Sequence, residues 1–155
     1  MILFPYYDIL FEVIKRMYSQ QMTAKEFSPA SLAYLGDSVI ELMVRSRLVM
    51  SKISDAGMLN SLSRDYVSAV SQSNAMEKIF DKLSEDEMTF FKWGRNMHTN
   101  VPKSASVAQY RRATGMETLF AALFIEGKHE RLKELFNLAF EADNIENSEE
   151  KNENF

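Results

Sequence analysis

No cysteine occurs in the 155 residues, which rules out disulfides and thiolate zinc sites and fits a reducing compartment. Histidine is almost as scarce: His98 and His129 are the only two, too few for a histidine zinc site, and no Ser–His–Asp or Cys–His arrangement is available. Five glycines and three prolines leave little turn chemistry. No alternation of apolar and polar residues is long enough to make a strand, so the expected fold class is all-α. Long hydrophobic runs are missing as well. Residues 1–11 are apolar but lack a basic leading segment, and Asp8, Glu12 and Lys15 interrupt the stretch before it could span a bilayer. These absences point to a cytoplasmic protein without a membrane segment.

What is present is a strongly uneven charge pattern. The net charge is −4, but residues 141–155 hold six acids and one lysine, which leaves 1–140 at +1. Within that body, residues 92–112 hold five Lys/Arg, His98 and no acid, a local excess able to draw a polyanion despite the acidic pI.

Helical periodicity divides the chain into segments. Residues 6–20 form an amphipathic helix with Ile9, Leu10, Val13, Ile14 and Met17 on one side. Ser28-Pro29 supplies an N-cap followed by proline at the first helical position, starting a helix that runs to about Met50. A turn at Ser54-Asp55 opens the next helical stretch, broken near 71–73. Ser84 with Glu87 reads as a capping box for a helix over 85–96. Residues 97–106, containing Pro102, are a loop. Helix resumes over 107–126 with Gly127 as C-cap, and a last helix over 129–142 turns Leu132, Leu135, Phe136 and Ala139 inward. The domain plan is an N-terminal helical extension (1–27), a core domain (28–140) and an acidic disordered tail (141–155).

Two carboxylates stand out. Asp37 is the only charge in residues 27–40, and Glu117 is the only charge in 113–125. Isolated ionised carboxylates are expensive to bury. Each has an ordinary reading: Asp37 as an N-cap or exposed helical acid, Glu117 as a buried partner of Arg or Lys. The chemical reading is a shared Mg²⁺ or Mn²⁺ site, because magnesium takes oxygen ligands and needs only one or two carboxylates beside water and phosphate. Glu41, one turn after Asp37, is expected to pair with Arg45, with a supporting place beside the metal as the lesser alternative. The basic stretch just ahead of Glu117 would then set phosphate-binding groups beside the acids.

The run Ala30-Ser-Leu-Ala-Tyr-Leu-Gly-Asp-Ser-Val-Ile40 resembles the signature helix of the ribonuclease III catalytic domain. Tyr110-Arg-Arg-Ala-Thr-Gly-Met-Glu-Thr-Leu-Phe120 resembles that family's other catalytic segment. Gly94-Arg-Asn96, Pro102-Lys103, Tyr110-Arg111, Ser63-Arg64 and Val67-Ser68-Ala69 are similar to the Mini-III branch, which lacks the double-stranded-RNA-binding domain. The likeness covers about residues 28–140. Classical members carry further acids where this chain has Ala30, Ala33 and Thr114. The Mini-III branch lacks them too, so only Asp37 and Glu117 carry over as catalytic, metal-linked residues. Met97-His98 stands where the branch often has Ala-Lys, which removes one phosphate contact.

The resemblance implies a ribonuclease III endonuclease-domain-like helical bundle, working as a homodimer. It implies a Mg²⁺-dependent endoribonuclease that cuts double-stranded RNA, leaving 5′-phosphate and 3′-hydroxyl ends, with the large ribosomal RNA precursor as the expected substrate. Arg95, Asn96, Thr99, Asn100, Lys103, Arg111 and Arg112 would grip the RNA backbone. Glu41, Arg64, Ser68 and Thr114 would play supporting or structural parts. Two other readings remain open: a catalytically silent homologue that binds double-stranded RNA, and a helical protein-interaction module whose acids are merely structural.

Overall fold

The structure is a computed structural model and describes residues 9, 12–14, 16–17, 23–98 and 100–140. The acidic tail and most of the expected 6–20 helix lie outside the described residues; residues 9, 12–14 and 16–17 of the latter are helical. Six α-helices follow: α1 (Pro29–Met50), α2 (Ala56–Val67), α3 (Ala69–Ile79), α4 (Glu85–Arg95), α5 (Val107–Ile125) and α6 (His129–Ala139). The described residues contain no strand, and no helix among them is long and apolar enough to cross a membrane.

The helix starts follow local chemistry. The Ser28 hydroxyl accepts from Ser31 N–H ahead of Pro29, and Asp55 caps α2 by accepting from Met58 N–H at 2.7 Å. Reciprocal capping boxes open α4 (Ser84 with Glu87) and α5 (Ser106 with Gln109). At the end of α5, Gly127 takes φ 68° while its N–H bonds the Phe124 carbonyl and the Lys128 N–H bonds Leu123, a Schellman closure that favours glycine. The break expected near 71–73 falls earlier, at Ser68. That residue is extended, and its hydroxyl caps α3 by accepting from Ser71 N–H. The serine that can cap ends the helix; those at 71 and 73 continue it.

Helix α5 is the axis of the bundle. Ten of its residues, from Ala113 to Leu123, are buried, and α1, α3, α4 and α6 all pack on it. A helix apolar on every side must be surrounded in this way. Met116, Leu119, Phe120 and Leu123 meet Ile40, Met76, Ile79, Phe91, Leu132 and Leu135 in the main core. The expected inward residues of α6 are all buried. That helix is pinned by Arg131, which makes a two-pronged ion pair with the buried Glu87 carboxylate at 2.8 and 3.0 Å and bonds the Lys82 carbonyl.

The closest approach is between α1 and α5. A Cβ built on Gly36 would fall within the Glu117 peptide, 2.8 Å from its Cα, so the two backbones touch without an intervening side chain. Alanine at 36 would gain about 1 kcal/mol of helix propensity. It would also have to push two helices apart, and overpacking of a rigid neighbour costs typically 1–3 kcal/mol or more. Since backbone cannot rotate away, the clash outweighs the gain. Gly36→Ala is expected to lower stability by about 2 kcal/mol, roughly 4–8 °C in melting temperature, followed by circular dichroism; an unchanged melting temperature would contradict the backbone contact.

Candidate active site

The α1–α5 crossing sets the two singled-out carboxylates beside each other. Glu117 is the residue whose backbone Gly36 touches, and Asp37 is the next residue of α1. Their environments differ. Asp37 is exposed at the rim, not embedded in the apolar face, because α1 turns Leu32, Ala33, Gly36 and Ile40 to the core. Glu117 is half-buried, and its carboxyl is largely shielded from water.

This shielding dominates the chemistry. Burial, then the negative charge of Asp37, pushes the Glu117 carboxyl up to about 8 against a hydrogen bond from Gln72. Asp37 is raised too, by partial desolvation and then by the charge of Glu41. No cation is among the groups that shift either acid, and neither forms a salt bridge among the described residues. The reading of Glu117 as a buried ion-pair partner therefore finds no partner. What the fold presents is a like-charge oxygen pair without compensation. No third His, Asp or Glu joins it to make a three-residue metal cluster among the described residues. Two carboxylate donors of this kind fit a hard divalent cation that keeps most of its coordination for water and phosphate.

Gln72 was not picked out from the sequence. It lies in a run of small and polar residues with no distinguishing spacing, and only the packing of α3 on α5 brings its amide to Glu117. The residues with supporting expectations are placed as follows. Glu41 binds Arg45 through Nε (2.9 Å) and Nη2 (2.6 Å), as its spacing implied. Ser68 is the cap of α3, and the Arg64 carbonyl receives its N–H while the Arg64 side chain is exposed. The Thr114 hydroxyl bonds the Tyr110 carbonyl one turn back, and its own carbonyl faces Gly94 of α4, a packing contact.

The basic segment is gathered elsewhere. Arg95, Asn96, Arg111 and Arg112 line a groove of about 620 Å³ between α3, α4 and α5. Neither Asp37 nor Glu117 lines it. Ala108 on the groove wall and Glu117 are nine positions apart, and at about 100° per residue they occupy opposite sides of α5. Arg111 and Arg112 share α5 with Glu117 while Arg95 comes from α4, and neither acid is among the residues that line the groove they form. Arg112 is further committed, bonding Ser73 Oγ at 3.0 Å and pairing with Glu77. Arg95 donates to Asn96 and lies over the Phe91 ring. Arg111, Asn100 and Lys103 are exposed, the last two on the loop before α5. Thr99 lies outside the described residues.

The raised carboxyl has a measurable consequence. In the folded protein without divalent ions Glu117 keeps its proton to about pH 8, whereas in the unfolded chain it releases it near 4.5. Between those values the folded state binds more protons, so this group's contribution to stability falls as pH rises, by up to about 1.4 kcal/mol per pH unit. Glu117→Gln abolishes that loss. In EDTA the variant is expected to melt with the wild type at pH 5 and several degrees above it at pH 8.5, measured by calorimetry. An equal offset at both pH values would show that Glu117 is not held protonated.

The family model of the ribonuclease III domain matches residues 30–128. The chain is 39% identical over 113 residues to a Mini-ribonuclease 3 of Thermoanaerobacter sp. (strain X514), covering 72% of this chain and 80% of that protein. It is 35% identical over 117 residues to the Mini-ribonuclease 3 of Staphylococcus aureus, covering 73% and 87%. A crystal structure of a Fusobacterium nucleatum protein superposes with a TM-score of 0.66 at 31% identity, covering 72% of this chain and 89% of that one. The chain belongs to the ribonuclease III family, on its Mini-ribonuclease 3 branch, and its bundle is that family's fold.

Proposed function

We propose that this protein cleaves double-stranded RNA in the presence of a divalent cation held by Asp37 and Glu117. Membership of the ribonuclease III family makes it an endoribonuclease. The observation that carries the metal reading is the uncompensated acid pair at the α1–α5 crossing, where the charge of Asp37 opposes ionisation of Glu117 and no cation offsets it. A bound Mg²⁺ or Mn²⁺ would offset both charges, lower the pKa of a water molecule and stabilise charge on the phosphoryl group.

The chain's own part is to prepare that site. Glu117 must lose its proton to act as a ligand, so metal binding competes with protonation and strengthens toward pH 8. Asp37, exposed at the rim, is the acid an incoming phosphodiester meets first. Arg95, Asn96 and Arg111 in the groove, with Asn100 and Lys103 on the neighbouring loop, supply backbone contacts, Arg112 contributing from its Glu77 pair. Thr99 belongs to the same proposed set. None of these groups is arranged to read a base sequence, and recognition of duplex RNA rests chiefly on A-form shape and 2′-hydroxyls. The large ribosomal RNA precursor, processed in the cytoplasm, is the proposed natural substrate, and the products carry 5′-phosphate and 3′-hydroxyl ends.

A homodimer is part of the same reading. Tyr34 (83% exposed), Leu42 and Val49 form an apolar stripe on the outer face of α1 beside Asp37. An exposed apolar stripe of this kind marks an interaction surface. A second copy seated there would place the two acid pairs on one assembly, one for each strand.

Incubation with a long RNA duplex tests the activity. Cleavage is expected with Mg²⁺ and not with EDTA, and Asp37→Asn or Glu117→Gln should each lower the rate by more than about 100-fold, the upper end of what losing a mere supporting group costs. Unchanged cleavage by either folded variant would remove that acid from the site. Binding without cleavage would instead identify a silent homologue. In sedimentation at micromolar concentration the wild type should run as a dimer and Tyr34→Glu as a monomer; a monomeric wild type would overturn the dimer.

A further inference from the structure

The groove between α3, α4 and α5 holds more than phosphate contacts require. Its volume of about 620 Å³ is that of a pocket for a small organic molecule, roughly 300–1,000 Å³. Part of its wall is aromatic. Phe80, in the turn between α3 and α4, lines the groove and stays 43% exposed. Phe91, 1% exposed, meets it edge to face with 5.5 Å between ring centres. The inner ring is thus fixed in the core, and the outer ring is propped against it and open to water. Ala108 on the α5 side takes up little of the space.

The rest of the wall is cationic. Arg95, Arg111 and Arg112 line the same groove. Arg112 is paired with Glu77, but neither Arg95 nor Arg111 forms a salt bridge among the described residues. Arg95 is held by Asn96 Oδ1, to which its Nε donates at 3.1 Å, and by the Phe91 ring beneath its guanidinium. Three guanidinium groups against one carboxylate leave an excess of positive charge that an incoming anion would offset.

Duplex RNA by itself does not use such a groove fully. Its bases are closed by stacking inside the helix, and it offers a protein phosphates and 2′-hydroxyls. Those engage the arginines and leave the aromatic wall idle. A lone apolar ring in water is ordinary; a ring in a nucleotide-sized groove beside unpaired arginines is not. An unpaired nucleotide matches both parts of the wall at once. Its base has an open face to lay on an aromatic ring, and its phosphate goes to a guanidinium group.

We propose that this groove is a subsite for one unpaired nucleotide next to the duplex, whose base stacks on Phe80 and whose phosphate is held by Arg95 and Arg111. The inference rests on the RNA reading above and narrows it: the preferred substrate is a duplex flanked or interrupted by unpaired RNA, not a continuous one. Stacking on an aromatic ring tolerates every base, so the subsite selects the presence of an unpaired nucleotide and not its identity.

The test compares a blunt, continuous RNA duplex with the same duplex carrying a single-stranded flank or a bulge. In Mg²⁺ the wild type is expected to show a kcat/KM about 10-fold higher for the flanked or bulged duplex, within the range that one stacked base contributes. Phe80→Leu, which keeps an apolar group against Phe91, should bring that ratio close to unity. In EDTA, a fluorescent adenine analogue at the unpaired position should be quenched on binding to the wild type and not on binding to Phe80→Leu. Equal kcat/KM for all the duplexes, a ratio kept by folded Phe80→Leu, or fluorescence unmoved when the wild type binds would each overturn the subsite and leave cleavage of duplex RNA standing. Quenching without cleavage keeps the subsite and removes the metal reading instead. Should Phe80→Leu fail to fold, the wild type still decides. Iodouridine at the unpaired position is expected to crosslink to Phe80 under ultraviolet light, and crosslinks confined to residues outside the groove overturn the proposal.

Discussion

The contact of two helix backbones at Gly36 and Glu117 organises this molecule. Helices separated by side chains pack 8–10 Å apart, at distances those side chains set. Where one contributes only hydrogen, they can touch. The α1–α5 approach uses that freedom, and a second approach between α4 and α5 does the same, with Gly94 against the Thr114 carbonyl and Thr118. Helix α5 is thereby surrounded so closely that nearly all its central residues are buried. The one ionisable group in that stretch, Glu117, is carried into a poorly hydrated place, with Asp37 delivered beside it by the same crossing.

The electrostatics follow from that geometry. Elsewhere the fold compensates its buried charge: Glu87 is almost fully enclosed yet meets Arg131 through two bonds, which hold its carboxyl below the usual range against the opposing effect of burial. Arg112, half-buried, meets Glu77. At the α1–α5 crossing that compensation is missing, and the carboxyl responds by keeping its proton. Strongly perturbed carboxyls of this kind cluster at functional sites. The arginine groove is the acid pair's complement in sign, and its lining does not include either acid.

Much of this was readable in the residues. Ser28-Pro29, the Ser84–Glu87 box and Gly127 acted where local chemistry placed them, because caps and turns depend on neighbours within a few positions. Glu117 was legible as a lone charge in an apolar run. Asp37 was legible by the same rule, and its helical neighbours Ala33, Tyr34, Ile40 and Glu41 set it at the edge of an apolar face, which is where the fold exposes it. Gln72 was not legible at all: nothing within α3 marks it, and the Val67 carbonyl it bonds lies across a helix break. The break itself was placed too late, because three serines nearby could each have capped and only Ser68 is extended.

The sequence alone determined the all-α class, the family, the helix starts and the identity of the two acids, since each depends on periodicity, on short-range hydrogen bonding or on a contiguous motif. The tertiary structure decided what those acids are like. That Glu117 holds its proton to about pH 8, that Asp37 stands at the rim and that Arg95, Arg111 and Arg112 line one groove all depend on helices far apart in the chain. Desolvation and charge–charge interaction act through space, and only the crossing of α1 on α5 tells which charges are near and which are dry.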